Sequence, residues 1–206
     1  MLVILDYKIG NLSSIKNMLS KAGEPNARIT NDVGAIREAT KLILPGVGSF
    51  DYGMEQLRGS GFYEVLNQRV LDDRIPVLGI CLGVQLLTEG SDEGNSTGLG
   101  WIRGRTVAFD KKKLTTQAKI PHMGWTDIVP AKESRIFADM HEEPRFYFVH
   151  SYHLAPTDPS DVLVNATYSY EFAAGVERDN IIGVQFHPEK SHKYGMKFLS
   201  NFVNLY

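Results

Sequence analysis

The chain has 206 residues, of which 43% are apolar, 10% aromatic and 22% charged, with a formal net charge of -2. That balance lies near the globular average and far from the disordered and membrane classes, and the lack of an overall positive field argues against nucleic acid as a partner. One cysteine excludes an intrachain disulfide and a cysteine-rich zinc site, so no metal site is expected, and a reducing compartment fits.

The N-terminus, Met1-Leu2-Val3-Ile4-Leu5-Asp6, carries neither a basic region nor a small-residue cleavage pattern, and no run approaches the about 18 apolar residues of a membrane span. The expectation is a chain in the cytoplasm, or in an organelle reached by a lost presequence, with no membrane contact. At this length one domain over residues 1–206 is expected.

Short apolar runs at Leu2–Leu5, Lys41–Leu44, Pro76–Ile80 and Ile181–Phe186 are too short for helices and stop at turn or polar residues, as buried strands do. Helical spacing links the first three: Leu12, Ile15 and Leu19 after Asn11, then Phe62, Val65, Leu66 and Val70 after Gly61. Strand and helix alternating in this way predict an α/β fold, a mostly parallel sheet flanked by helices.

From about Gly90 glycines accumulate, and the alternating segments Arg105–Asp110, Phe146–Ser151 and Val162–Tyr168 predict antiparallel strands and long loops in the C-terminal half. Apolar residues at 198, 199, 202 and 205 predict a closing helix over Met196–Leu205. Lys111-Lys112-Lys113 reads as a solvated loop. Pro121 to Trp125 reads as a turn holding one large aromatic, and Tyr147 to Tyr152 as an alternating strand.

The segment Gly79-Ile80-Cys81-Leu82-Gly83 follows an apolar strand and precedes a helix-like apolar run, which is the form of a nucleophile elbow. The sharp turn requires small residues two before and two after the nucleophile, and Gly79 and Gly83 meet that need. At a helix start, positive dipole and free N–H groups favour a thiolate at Cys81. Standing alone, a single cysteine is more often an inert core residue; the glycines and the strand reverse that reading.

Acyl transfer to a thiolate needs a group that protonates the leaving amine and later activates water. Among six histidines, His187 ends an apolar strand and is followed by Pro188 and Glu189. In extended backbone, residues two apart share a side, so Glu189 is expected to orient the imidazole. Leu44-Pro45-Gly46-Val47-Gly48 follows a predicted parallel strand, so it should lie at the carboxyl edge of the sheet beside Cys81. Its glycines permit N–H groups to point inward at an oxyanion, although a tight strand–helix turn without a catalytic part reads the same way.

Together, Pro45-Gly46-Val47-Gly48, Gly79-Ile80-Cys81-Leu82-Gly83-Val84-Gln85 and His187-Pro188-Glu189 resemble the class I, triad-type glutamine amidotransferases over nearly the full chain. Asp6-Tyr7-x-x-Gly10-Asn11-Leu12, Pro121-His122-Met123-Gly124-Trp125 and Tyr147-Phe148-Val149-His150-Ser151-Tyr152 are similar to the glutaminase subunits of imidazole glycerol phosphate synthases. The resemblance implies hydrolysis of L-glutamine by a Cys81–His187–Glu189 triad, with Gly46, Val47 and Gly48 as the oxyanion loop. It implies that Gln85, Glu93, Ser151 and Tyr152 hold the substrate. It also implies a heterodimer in which the partner is a separate (β/α)8-barrel cyclase subunit. That partner uses the ammonia to form imidazole glycerol phosphate and an aminoimidazole carboxamide ribotide in histidine biosynthesis.

The chain departs from the usual pattern at Lys8, where glycine is common, and at Thr126, where asparagine is frequent; neither touches the triad. No Walker-type loop or dinucleotide fingerprint is present, so no cofactor is expected and the ammonia acceptor must bind elsewhere. A stand-alone triad hydrolase, such as a γ-glutamyl hydrolase, and a catalytically silent scaffold are the competing readings.

Overall fold

A computed structural model describes residues 1–206. The N-terminal half alternates as the apolar runs predict: β1 (Leu2–Leu5), α1 (Leu12–Lys21), β2 (Arg28–Thr30), α2 (Val33–Arg37), β3 (Lys41–Leu44), α3 (Phe50–Gly59), α4 (Tyr63–Asn67), β4 (Val77–Ile80) and α5 (Leu82–Leu86). The Asn11 side chain caps α1 by accepting from Ser14 N. The C-terminal half holds β5 (Gly90–Ser91), β6 (Gly104–Ala108), β7 (His122–Pro130), β8 (Arg145–His150), β9 (Tyr152–Pro156), β10 (Val162–Tyr168), β11 (Tyr170–Arg178), β12 (Ile181–Val184) and α6 (His192–Leu205).

The main sheet runs β2-β1-β3-β4-β12-β11-β10-β7-β8, with β5, β6 and β9 attached through the β9–β11 pairing. The strands from β2 to β12 are parallel, and the rest of the path is antiparallel. This is the α/β sheet that the sequence implies. No helix is long and apolar enough to cross a membrane.

Alternation along the strands builds two cores. Leu2 and Ile4 face one side with Ile15 and Leu19 of α1 and with Phe198 and Phe202 of α6. Val3 and Leu5 face the other with Ile36 of α2, Met54 and Leu57 of α3, Leu66 of α4 and Leu86 of α5. Each such side chain stabilises the fold by about 1.5–3 kcal/mol relative to exposure. The central strands are therefore buried on both faces, which is why they read as continuous apolar runs.

The topology positions the site. Leu44 pairs with Gly79, and Ile80 pairs with Val184, so the carboxyl ends of β3, β4 and β12 stand side by side. Residues that follow these three strands, at 45–48, 81 and 185–189, converge at one edge although they are far apart in the chain.

Some expectations need correction. Pro121 to Trp125 is not a turn: from His122 it is the start of β7, paired residue by residue with β8. Polar residues occupy its inner face at His122 and Thr126, and Gly124 has φ +136°, so no apolar alternation marks it. The Tyr147–Tyr152 segment is not one strand, since the chain turns at Ser151 between β8 and β9. The closing helix begins at His192 rather than Met196.

Candidate active site

Cys81 leaves β4 with φ 55° and ψ -112°, while its N–H donates to Val184 O at 2.9 Å. The glycines around it are needed for contact. A Cβ on Gly83 would lie 1.8 Å from Leu44 O, and one on Gly79 would lie 2.9 Å from Val84 Cα. Gly46 closes the crossing: its Cβ would meet Leu82 Cβ at 2.8 Å, and its carbonyl accepts from Leu82 N at 3.3 Å. The helix that follows has only five residues, so the expected dipole contribution is that of a short helix.

His187 Nδ1 lies 2.8 Å from Glu189 Oε1, with both side chains 2% exposed. The pairing that the sequence suggests is present, but its backbone is not extended: Pro188–Lys190 forms a 3-10 turn with proline in its first turn. Proline's fixed φ suits that position, and the turn, rather than strand alternation, carries Glu189 back beneath the ring. His187 N donates to Tyr147 O at 2.9 Å, and Ser191 Oγ donates to His187 O at 2.6 Å, so backbone and ring are both held.

With Nδ1 committed to a carboxylate, Nε2 is the nitrogen left for chemistry; it is buried and has no aligned hydrogen-bond partner. Burial opposes a charged imidazole here. The Cys81 sulfur and the Glu189 carboxylate outweigh it and push the His187 pKa up to about 10.

Cys81, His187, Gln85 and Glu93 line one cavity of about 280 Å³, together with Val47 and Gly48 on one side and Ser151 and Tyr152 on the other. Such a volume suits an amino-acid-sized ligand. Gln85 is buried and donates from Nε2 to Gln185 Oε1 at 3.0 Å. Glu93 Oε2 accepts from Phe50 N at 2.8 Å, tying the cavity wall to the first turn of α3. Tyr7, whose burial raises its pKa, donates from its hydroxyl to Pro45 O and anchors the loop from below. Val47 is 46% exposed and Gly48 has φ +111° with open space around it, whereas Gly46 lies behind the cavity in the glycine crossing.

Two polar residues at the site, Gln185 and His150, escape a reading of the sequence. Gln185 Nε2 lies 3.8 Å from Cys81 Sγ; it stands two residues before His187, a spacing that strand alternation makes visible only once the site is known. His150 also lines the cavity, brought there by the β7–β8 pairing, for which the sequence carries no local mark. No group of three or more His, Cys, Asp or Glu is placed to hold a metal ion.

A cysteine on a strand-to-helix elbow, a histidine oriented by a carboxylate and a glycine loop form an arrangement suited to acyl transfer through a thioester. The chain belongs to the class-I glutamine amidotransferase family, whose model matches residues 3–205. Within that family it is 50% identical to imidazole glycerol phosphate synthase subunit HisH 2 of Methanococcus maripaludis, over 98% of both chains. It is 48% identical to the HisH 2 subunit of Pseudomonas aeruginosa and 40% identical to the HisH subunit of Leptospira interrogans, each over 100% of both chains. The fold matches a solved GMP synthase subunit of Thermoplasma acidophilum at a TM-score of 0.70 and 22% identity, covering 99% of this chain and 92% of that one. It also matches a solved glutamine amidotransferase at a TM-score of 0.67 and 16% identity, covering 96% and 98%.

Proposed function

We propose that this chain, acting as one domain, is the glutaminase subunit of an imidazole glycerol phosphate synthase, hydrolysing L-glutamine and passing ammonia to a cyclase subunit in histidine biosynthesis. The observation that carries this reading is the buried, unpartnered Nε2 of His187 in one cavity with Cys81. Full-length relatives that are subunits of that synthase support the substrate and the pathway.

The Cys81 thiolate attacks the side-chain amide carbon of glutamine, and the carbonyl oxygen takes the negative charge. N–H groups of the Gly46–Gly48 loop at Val47 and Gly48, the two of its residues that line the cavity, receive that oxyanion. His187 Nε2 gives its proton to the departing nitrogen, so the C–N bond breaks and ammonia leaves behind a Cys81 thioester. His187 then takes a proton from water, which attacks the thioester to yield glutamate and the free thiol. Glu189 holds the ring throughout. Gln85, Glu93, Ser151 and Tyr152 hold the substrate, with the Glu93 carboxylate available to an amino-acid ammonium.

The proposed partner is a (β/α)8-barrel cyclase, forming a heterodimer in the cytoplasm. Met123 and Trp125 are 61% and 43% exposed on β7, and Trp125 pairs across the strands with Tyr147, whose carbonyl holds His187 N. An apolar face so close to the histidine suits a partner that controls the site.

The test is incubation with an electrophilic glutamine analogue in the presence of the cyclase subunit, followed by intact-mass measurement. One adduct at Cys81 is the expected result. Complete absence of adduct would overturn the reading.

A further inference from the structure

The inner face of β7 carries two polar groups that the proposed chemistry does not use. His122 and Thr126, four residues apart on one strand, share a side, and the strand register sets His122 directly opposite His150 of β8. His122 Nε2 lies 2.8 Å from Thr126 Oγ1, His122 Nδ1 lies 2.9 Å from His150 Nε2, and His150 Nδ1 lies 2.7 Å from Tyr152 O. Both rings are buried, at 2% and 5% exposure, and His122 is stacked on Tyr168 with ring centroids 4.1 Å apart.

The acceptor at one end settles the protons. Tyr152 O is a carbonyl and only accepts, so His150 Nδ1 carries the hydrogen, and in the neutral ring Nε2 is then an acceptor. His122 must therefore donate from Nδ1, which leaves its Nε2 to accept from the Thr126 hydroxyl. Burial keeps both rings neutral, pushing His122 down to about 4 and His150 to about 3. A directed chain results, with Thr126 donating to His122, His122 to His150, and His150 to Tyr152 O.

The two ends of this chain lie in different places. Thr126 stands on β7 between the exposed Trp125 and Asp127, while His150, Ser151 and Tyr152 line the cavity. Because both nitrogens of His150 are occupied, its ring has no proton to offer a ligand; its bonds fix the bend between β8 and β9. We infer that Thr126, His122 and His150 are positioning residues that tie the outer face of β7 to the glutamine-facing wall at Ser151 and Tyr152. The inference rests on the proposed function for its substrate and for the partner that covers β7. An asparagine at this position would carry an amide N–H that can donate to the same nitrogen.

The test compares the unaltered chain, Thr126→Val and Thr126→Asn, each with saturating cyclase, in glutamine turnover. Thr126→Val keeps the shape and removes the donor, so KM for glutamine should rise roughly fivefold, with kcat changed by less than about twofold. Thr126→Asn should restore KM to within about twofold, a rescue that a purely structural role does not require. Nitrogen chemical shifts of the two imidazoles should report the Nδ1–H form for both. An Nε2–H form at either ring, or an unchanged KM in Thr126→Val, would overturn the inference. Absence of glutamine turnover by the unaltered chain would overturn the proposed function instead.

Discussion

Glu189 Oε1 and His187 Nδ1 meet at 2.8 Å in a setting that excludes water, so the imidazole has one nitrogen fixed and one free. Removing the charge while keeping the shape separates orientation from packing. Glu189→Gln should fold normally and lose roughly 10²-fold or more in kcat for glutamine hydrolysis, because the amide can orient the ring in the wrong tautomer and does not balance its charge. Steady-state glutaminase assays with the cyclase present check this.

Cys81→Ala and His187→Ala should each abolish synthesis that draws on glutamine while leaving synthesis from added ammonium salts intact, since the proposed function assigns the acceptor chemistry to the cyclase subunit. Measuring both nitrogen sources on the same complex distinguishes the outcomes: loss of both would mean that these residues serve assembly rather than hydrolysis.

Stability should depend on pH in two opposite ways. His187 is raised from 6.5 to about 10 in the folded chain, so its contribution is fully present below pH 6.5 and is lost as pH rises through about 10. The gap in denaturant midpoint between the unaltered chain and His187→Gln should therefore shrink from pH 6.5 toward 10. His122 and His150 are lowered to about 4 and about 3, so below 6.5 the unfolded chain binds protons that the folded chain refuses. Stability should fall with pH between about 6.5 and 4, and His122→Asn should show a shallower fall.

The glycines of the site should differ sharply in their tolerance. Gly83→Ala sets a methyl 1.8 Å from the Leu44 carbonyl, a backbone contact with no room to give, and should cost more than about 4 kcal/mol or prevent folding. Gly48→Ala has open space but φ +111°, and should cost about 1–2 kcal/mol, read from urea midpoints.

Much of this was legible from the sequence for definite reasons. β1, β3, β4 and β12 are buried on both faces and so appear as unbroken apolar runs, and Gly79-x-Cys81-x-Gly83 is a local requirement of a local turn. The closeness of Cys81 and His187 came from the resemblance, and the structure supplies its reason: both follow parallel neighbouring strands that end at one edge. The route by which Glu189 reaches His187 did not: alternation and a 3-10 turn both satisfy a two-residue spacing, and only the backbone decides between them. β7 escaped because its partner β8 lies beyond a long loop and its inner face carries His122 and Thr126 where an apolar pattern would be sought, while β11, although hairpinned to its chain neighbours β10 and β12, carries Gly175 within its buried run.

Cys81 sits at φ 55° and ψ -112°, a region that side-chain-bearing residues adopt at a cost of about 1–3 kcal/mol. Glycine carries no such penalty, so Cys81→Gly should make the protein more resistant to urea while removing its nucleophile. Selection for durability alone would thus erase the activity at this position. The residue that performs the reaction is also the one whose presence the rest of the sheet must hold against its own preference.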